Sequence, residues 1–241
     1  MIPGVDGLWT ILQTSPLFWL AVTLVAYQVA YAIYLRAGRH PLLNPVLVSI
    51  GLIISVLLAT RTPYPTYFDG ARLVHFLIGP ATVAMAVPLY THSERFKHML
   101  LPLAGALLVG SVTAIVSAVA IGWTFGASPD TLLSLAPKST TMPIAMGITE
   151  KIGGSPSLTS LMVTLTGISG AIMAGWLLKL VRIDDVATRG FAIGVTAHAI
   201  GTAYTFQLGE VAVAFAALGM GLNGVLTTIL VPVLMRLLMS H

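Results

Sequence analysis

The sequence predicts an all-α integral membrane protein of about seven transmembrane helices plus a re-entrant helical hairpin, arranged as an inverted repeat with interrupted helices. Three observations carry that expectation. Only 8% of the 241 residues are charged, against about 25% in soluble domains, while 56% are hydrophobic and the mean hydropathy is +0.93. The apolar residues recur in runs of span length over the whole chain rather than in one anchor. Between 128 and 157 that rhythm fails, and two shorter pieces stand where one span would. This composition excludes a soluble enzyme, a nucleic-acid binder and a disordered scaffold. The net charge of +4 does not form a basic patch; the Lys and Arg residues stand singly or in pairs between apolar runs, as membrane topology requires. With no cysteine, disulfides and thiolate metal sites are absent.

A hydrocarbon core of about 30 Å takes about 20 helical residues. The segments 17–35, 42–60, 70–90, 97–121, 158–181, 187–207 and 211–237 qualify. No Lys or Arg precedes Arg36, so the basic start of a cleaved signal peptide is missing and the first segment is expected to stay in the mature chain. Asn44-Pro45 is a polar insertion at the start of the second segment, and Pro80 is expected to kink the third. Within 128–157, Ser128-Pro129 caps a short helix, Pro137 ends it, and a second helix starts near Thr141 and stops at Gly153-Gly154. Ten residues, 142–151, span roughly 15 Å and reach only the midplane. The segment 131–151 therefore reads as a re-entrant hairpin with its tip at Pro137–Thr141.

Charge placement supports the hairpin. If 131–151 turns back, Arg36, Arg39, Arg95, Lys97, Lys179, Arg182, Arg189 and Arg236 share the cytoplasmic side, and only Arg61, Arg72 and Lys151 lie outside. If it crosses, the basic residues divide almost evenly. The hairpin places the N-terminus outside and the C-terminus in the cytoplasm of a cell with this protein in its plasma membrane. The trio 42–60, 70–90 and 97–121 then recurs, inverted, as 158–181, 187–207 and 211–237. A faint local echo joins His75-Phe-Leu-Ile-Gly79-Pro80-Ala81 to His198-Ala-Ile-Gly201-Thr202-Ala203. One membrane domain, 1–241, is expected, with repeats at about 42–121 and 158–237 flanking the hairpin. Inverted repeats with broken helices are a common secondary-transporter architecture.

The candidate site follows from the tip. Lys138, Ser139, Thr140 and Thr141 lie between Pro137 and Pro143, where the backbone is irregular and must be surrounded by protein or water. Thr141 is the expected N-cap of a helix aiming its positive end at the tip. An ammonium, three hydroxyls and free amides suit a small carboxylate. The competing reading has Lys138 snorkelling or paired with a distant acid. His198, Gly201, Thr202 and Thr205 share one helix face, and His198, Gly201 and Thr202 are expected to face the tip and complete the substrate site. Gly201-Thr202 is expected to loosen the span, and His198 either binds substrate, carries a coupling proton or simply packs against a carbonyl. His75, Pro80, Glu210 and Asn223 are further candidates for coupling or gating. Arg182, Asp184, Asp185 and Arg189 read as a solvated loop.

Gly219-Met-Gly221-Leu-Asn-Gly224 matches GxGxxG, but no soluble strand-turn-helix surrounds it and no acidic residue follows. Close helix packing explains it better, as for Gly190-xxx-Gly194. No Walker A, HExxH or GxSxG motif occurs. Neither an enzyme nor a cofactor is expected.

Pro137-Lys-Ser-Thr-Thr-Met-Pro-Ile-Ala-Met146, Gly153-Gly-Ser-Pro-Ser-Leu158, His198-Ala-Ile-Gly-Thr-Ala203, Leu208-Gly-Glu210 and Ala217-Leu-Gly-Met-Gly221 together resemble the LrgB/CidB family of bacterial membrane proteins. Gly79-Pro-Ala-Thr-Val-Ala-Met-Ala-Val-Pro-Leu-Tyr90 extends the likeness to roughly residues 40–238. The chain departs from the family pattern at Gly147, where an acidic residue is expected, and at Tyr204-Thr-Phe, which replaces a stretch that is often Arg-containing. The resemblance implies two functions. One is transport of small monocarboxylates such as pyruvate, glycolate or glycerate, by similarity to the plastidial glycolate/glycerate translocator. The other is antiholin-like control of murein hydrolases and autolysis with an LrgA/CidA-type membrane partner. A lysine-bearing broken helix in an inverted repeat favours transport, with the lipid bilayer as surroundings, a homodimer as assembly and no nucleic acid as partner.

Overall fold

The computed structural model describes residues 15–38, 40–84 and 86–239, and every regular element among them is helical. The residues up to Ala84 form one compact unit and those from Ala86 onward another.

The first unit contains α1 (Pro16–Arg36), α2 (Pro45–Ala59), α3 (Tyr64–Gly70) and α4 (Arg72–Ala84). Asn44 starts α2 by accepting a hydrogen bond from Val46 N at 2.9 Å, and Pro45 follows in the first turn, where its missing amide is harmless. The polar insertion read from sequence is thus a helix cap. Trp19 of α1 is fully buried, against Gly70, where a Cβ would collide with the indole, and edge-on to Tyr67 with ring centres 5.6 Å apart.

The second unit contains α5 (Ala86–Thr91), α6 (Ser93–Thr124), α7 (Pro129–Leu135), α8 (Met142–Ile152), α9 (Pro156–Leu180), α10 (Val186–Thr205) and α11 (Glu210–Met239). Ile115, Val119, Leu132, Ile148, Val231 and Met235 form an apolar cluster joining α6, α7, α8 and α11. The helices α10 and α11 approach each other closely. Gly190 and Gly194 leave room for the backbone of Ala212 and Ala216, and a Cβ on Gly219 would lie 2.7 Å from Phe191 O. The glycine motif is a packing seam, since small residues let backbones approach.

Among the described residues four helices are long and apolar enough to cross a membrane: α1, α6, α9 and residues 210–238 of α11. The other three expected spans differ from single long helices. The segment 42–60 yields α2, of only 15 residues. The segment 70–90 is divided among the end of α3, α4 and α5, with Pro80 inside α4 and exposed. The segment 187–207 yields α10, which is broken at His198, where φ is 42° and ψ −136°. The break was expected at Gly201-Thr202 and falls three residues earlier, at His198; the bend brings Gly201 against Ala197 and Ile193, where a Cβ would collide.

Candidate functional site: a lysine at a helical hairpin tip

Local punctuation shapes the hairpin. Ser128 caps α7 through its hydroxyl, which accepts from Thr131 N at 3.4 Å, and Pro129 occupies the first turn. After Leu135 the chain closes two tight turns, Lys138 N donating to Leu135 O and Thr140 N to Pro137 O, each at 3.1 Å. Thr141 then takes extended dihedrals as the N-cap of α8, although its side chain makes no capping bond. Gly153 ends α8 with φ at 87°, a conformation glycine adopts without a Cβ penalty.

The base of the hairpin is fastened by buried hydroxyls. Ser155 N donates to Ser134 Oγ at 2.8 Å, and Ser134 Oγ donates to Asp130 O at 2.6 Å. Thr159 Oγ1 lies 3.0 Å from Ser134 O and 2.8 Å from Thr149 Oγ1. These bonds join α7, α8 and the start of α9.

The tip is held by Asn223 of α11, which is 1% exposed. Its Nδ2 donates to Ser139 O at 2.9 Å and to Val195 O at 3.1 Å. Its Oδ1 accepts from Ser111 Oγ at 2.7 Å and Thr227 Oγ1 at 3.2 Å. One amide thus uses both donors and both lone pairs, tying the tip, α10 just before its break, α6 and α11 together. Asn223 is a gating candidate that lies at the tip. Neither Ser111 nor the Val195 carbonyl was singled out from sequence.

Lys138 and Ser139 line a cavity of about 370 Å³ with Ala114 of α6, residues of α9 and the first half of α10. Lys138 Nζ makes one long bond, donating to Ser139 Oγ at 3.4 Å. Among the described residues the ion pairs are Arg72–Asp69, Arg95–Asp185 and Lys97–Glu94, so no carboxylate pairs with Lys138. A half-buried ammonium with unused donors faces an open volume. Thr140 points elsewhere: it is fully buried, its Oγ1 has no hydrogen-bond partner, and it lies next to Gly224.

The second polar cluster is used inside the protein. His198, 3% exposed, places Nε2 2.9 Å from Val163 O; a carbonyl only accepts, so Nε2 carries the hydrogen. Gly167 leaves room for the imidazole. Thr202 Oγ1 donates to His198 O at 2.8 Å, and Thr205 Oγ1 to Thr202 O at 2.7 Å. Together they support the carbonyls around the helix break. Glu210 is exposed in the first turn of α11, where acid complements the helix dipole. The backbone of His75 lies in α4, and its side chain lies outside the described residues.

The expected solvated loop is exposed at Arg182, Asp184 and Asp185 and also carries an ion pair, whereas Arg189 lies in the first turn of α10 with its Nε buried and without a hydrogen-bond partner. Asp185 caps α10, accepting from Thr188 N at 2.8 Å and Thr188 Oγ1 at 2.7 Å, and pairs with Arg95. Partial burial alone would raise its carboxyl, but the Thr188 hydrogen bonds and the Arg95 guanidinium hold it below the usual value. Among the described residues no group of three or more His, Asp or Glu forms a metal site.

Four apolar helices of span length among the described residues define a multi-pass membrane protein, and three of them, α6, α9 and α11, belong to the unit that holds the broken helix and the polar tip. A model of the LrgB-like family matches residues 23–237, and the chain belongs to that family. Over 218 residues it is 35% identical to the uncharacterized protein YxaC of Bacillus subtilis strain 168, covering 90% of this chain and 94% of the relative. It is 29% identical over 221 residues to the antiholin-like protein LrgB of Bacillus mycoides strain KBAB4, covering 92% and 96%. A Bacillus cereus strain B4264 protein of the same name is 28% identical over the same length. No solved structure matches the chain.

Proposed function

We propose that this chain is a secondary transporter of small monocarboxylates, of the pyruvate, glycolate or glycerate class. The observation that carries the reading is Lys138: an ammonium without a carboxylate partner among the described residues, at the edge of a cavity of about 370 Å³. Keeping a lone charge at depth is costly, so such residues mark substrate pathways. A carboxylate entering the cavity would accept from Lys138 Nζ and from Ser139 Oγ, whose hydrogen is free because its bond with Lys138 uses a lone pair.

In this reading α7 and α8, about 10 and 16 Å long at 1.5 Å per residue, enter and turn back as a re-entrant hairpin near the bilayer midplane. The topology has seven spans in an inverted repeat, with the N-terminus outside, in a plasma membrane and as a dimer. Asn223 makes the tip, α10 and α11 one mechanical piece, so Lys138 moves with the broken helix during alternating access.

Relatives bearing the name antiholin-like protein LrgB favour a second reading, control of murein hydrolases through an LrgA/CidA-type membrane partner. Purified protein in proteoliposomes separates the two. Saturable uptake of labelled pyruvate or glycolate that Lys138→Ala abolishes supports transport. Absence of flux with and without the partner, together with autolysis control untouched by Lys138→Ala, overturns it in favour of the regulatory reading.

A further inference from the structure

The groove at Lys138 leads to a second cation. α9 and α10 are antiparallel neighbours joined by the 181–185 loop, and Gly170 packs against Ala197. Roughly 12 Å from that contact along either helix stand Leu178, at the end of the cavity lining, and Arg189, which therefore share a level. Arg189 also shares a face with the lining. It precedes Ala192, Ile193 and Thr196 within one helical stripe, and α10 keeps helical dihedrals up to His198. Gly190 and Gly194 point the other way, against Ala212 and Ala216 of α11. Because Asn223 Nδ2 bonds both Ser139 O and Val195 O, the hairpin tip lies roughly 9 Å deeper along the groove than Arg189.

Arg189 stands there without a partner. Its Nε is buried and makes no hydrogen bond, and the ion pairs among the described residues do not include it. The acids nearest in sequence are placed otherwise: Asp185 is bound by Arg95 and Thr188, and Asp184 is exposed. Marking one side of a membrane needs a charge in water, as at the exposed Lys179 and Arg182, and not a buried Nε on a groove face. A planar guanidinium with an unused N–H suits a carboxylate, which it holds through parallel hydrogen bonds. The groove is half-open. Met173 and Leu177 on its flank are 45% and 40% exposed, so it guides a ligand between the two cations without enclosing it. Ser169 Oγ donates to Leu165 O and Thr196 Oγ1 to Ala192 O, so neither lining hydroxyl offers its hydrogen to an anion on the way.

Building on the monocarboxylate reading, we propose that Arg189 is the docking residue of the same site: a small carboxylate arriving from the side of the α9–α10 loop is held first by its guanidinium and then passes along the groove to Lys138 and Ser139. Two fixed cations on one path offset the cost of bringing an anion to depth and raise its local concentration at the mouth. Two- and three-carbon acids suit this path, because they carry one carboxylate to hand from cation to cation and no tail that needs an enclosed pocket. In the topology proposed above, the mouth opens to the cytoplasm.

The chain has no cysteine, so a single thiol reports on either end of the groove. Leu178→Cys places it at the mouth and Ala114→Cys at the tip. Each full-length variant in lipid nanodiscs is labelled with a sulfonate-bearing and a trimethylammonium-bearing methanethiosulfonate, and the ratio of the two rates follows the local potential while cancelling changes in thiol reactivity. At low salt, Arg189→Gln is expected to lower the anionic-to-cationic ratio at the mouth thiol about fivefold, an effect that shrinks as salt is raised, and Arg189→Lys to retain most of it. Pyruvate and glycolate are expected to protect both thiols; Arg189→Gln removes protection at the mouth, and Lys138→Gln removes it at the tip. A folding defect changes both reagents alike and moves no ratio. A mouth ratio that Arg189→Gln leaves unchanged, or a mouth thiol that neither reagent reaches, overturns the docking role, while protection at the tip leaves the monocarboxylate reading standing. Protection of neither thiol by either acid with Arg189 and Lys138 intact overturns that reading and this inference together.

Discussion

Replacing Asn223 by alanine should loosen the hairpin tip by an amount that can be bounded. Three of its hydrogen bonds reach other elements: Ser111 on α6, Ser139 O at the tip and Val195 O on α10. Interhelical bonds inside membrane proteins contribute about 0.6 kcal/mol on average and about 1.7 at most, because the unfolded chain in lipid finds partners too. Asn223→Ala should therefore cost about 2–5 kcal/mol, the upper end applying if the two buried carbonyls stay unpaired. Ser111→Ala removes one bond and should cost about 0.6 kcal/mol. Asn223→Asp keeps the shape and the acceptor but exchanges two donors for an oxygen facing two carbonyls, so it should be as damaging as alanine. Reversible unfolding in mixed detergent micelles reads all three. If Asn223→Ala falls within about 0.5 kcal/mol of wild type, or Asn223→Asp matches wild type, the amide does not hold the tip and the argument for a single mechanical piece fails.

The remaining expectations concern the same unit. Asp185→Ala should cost about 1 kcal/mol by removing the α10 cap. Because the folded carboxyl lies below its ordinary 3.8, the contribution of Asp185 is complete above that value and fades as pH falls through it; the wild-type advantage over Asp185→Asn should shrink from about pH 5 to about pH 3 in thermal melts, modestly, since the pair is partly exposed. Gly219→Ala, whose Cβ would meet Phe191 O at 2.7 Å, should destabilise by about 1–3 kcal/mol. Gly221→Ala meets nothing within 4 Å and should be neutral or stabilising by about 0.5–1 kcal/mol; equal effects would refute the packing account of that motif. His198→Gly and His198→Ala both lose the bond to Val163 O, but glycine escapes a positive-φ strain of about 1–3 kcal/mol and should be the more stable variant in the same unfolding assay.

What was legible in the sequence is what acts over a few residues. Ser128-Pro129, Pro137, Thr141 and Gly153-Gly154 mark the limits of α7 and α8 because caps and breakers work through the adjacent backbone. Lys138 stood out because topology gave it no role. The break in α10 was misplaced by three residues, since a positive φ at histidine is imposed from outside: Val163 O holds the imidazole and Asn223 takes the carbonyl of Val195. Gly201, the local suspect, serves packing instead. Ser111 and Asn223 are 112 positions apart, and no periodicity announces such a bond.

The central claim is that Lys138 supplies the charge for a substrate carboxylate. Saturable binding of labelled pyruvate and glycolate to wild type, Lys138→Gln and Lys138→Arg in nanodiscs tests it directly, with unfolding in mixed micelles confirming that each variant is folded. A hydrogen bond to a charged group is worth about 1.5–3 kcal/mol, so Lys138→Gln should weaken both ligands about 10- to 150-fold, while Lys138→Arg retains part of the affinity. A folded Lys138→Gln protein that binds both acids as tightly as wild type would contradict the claim.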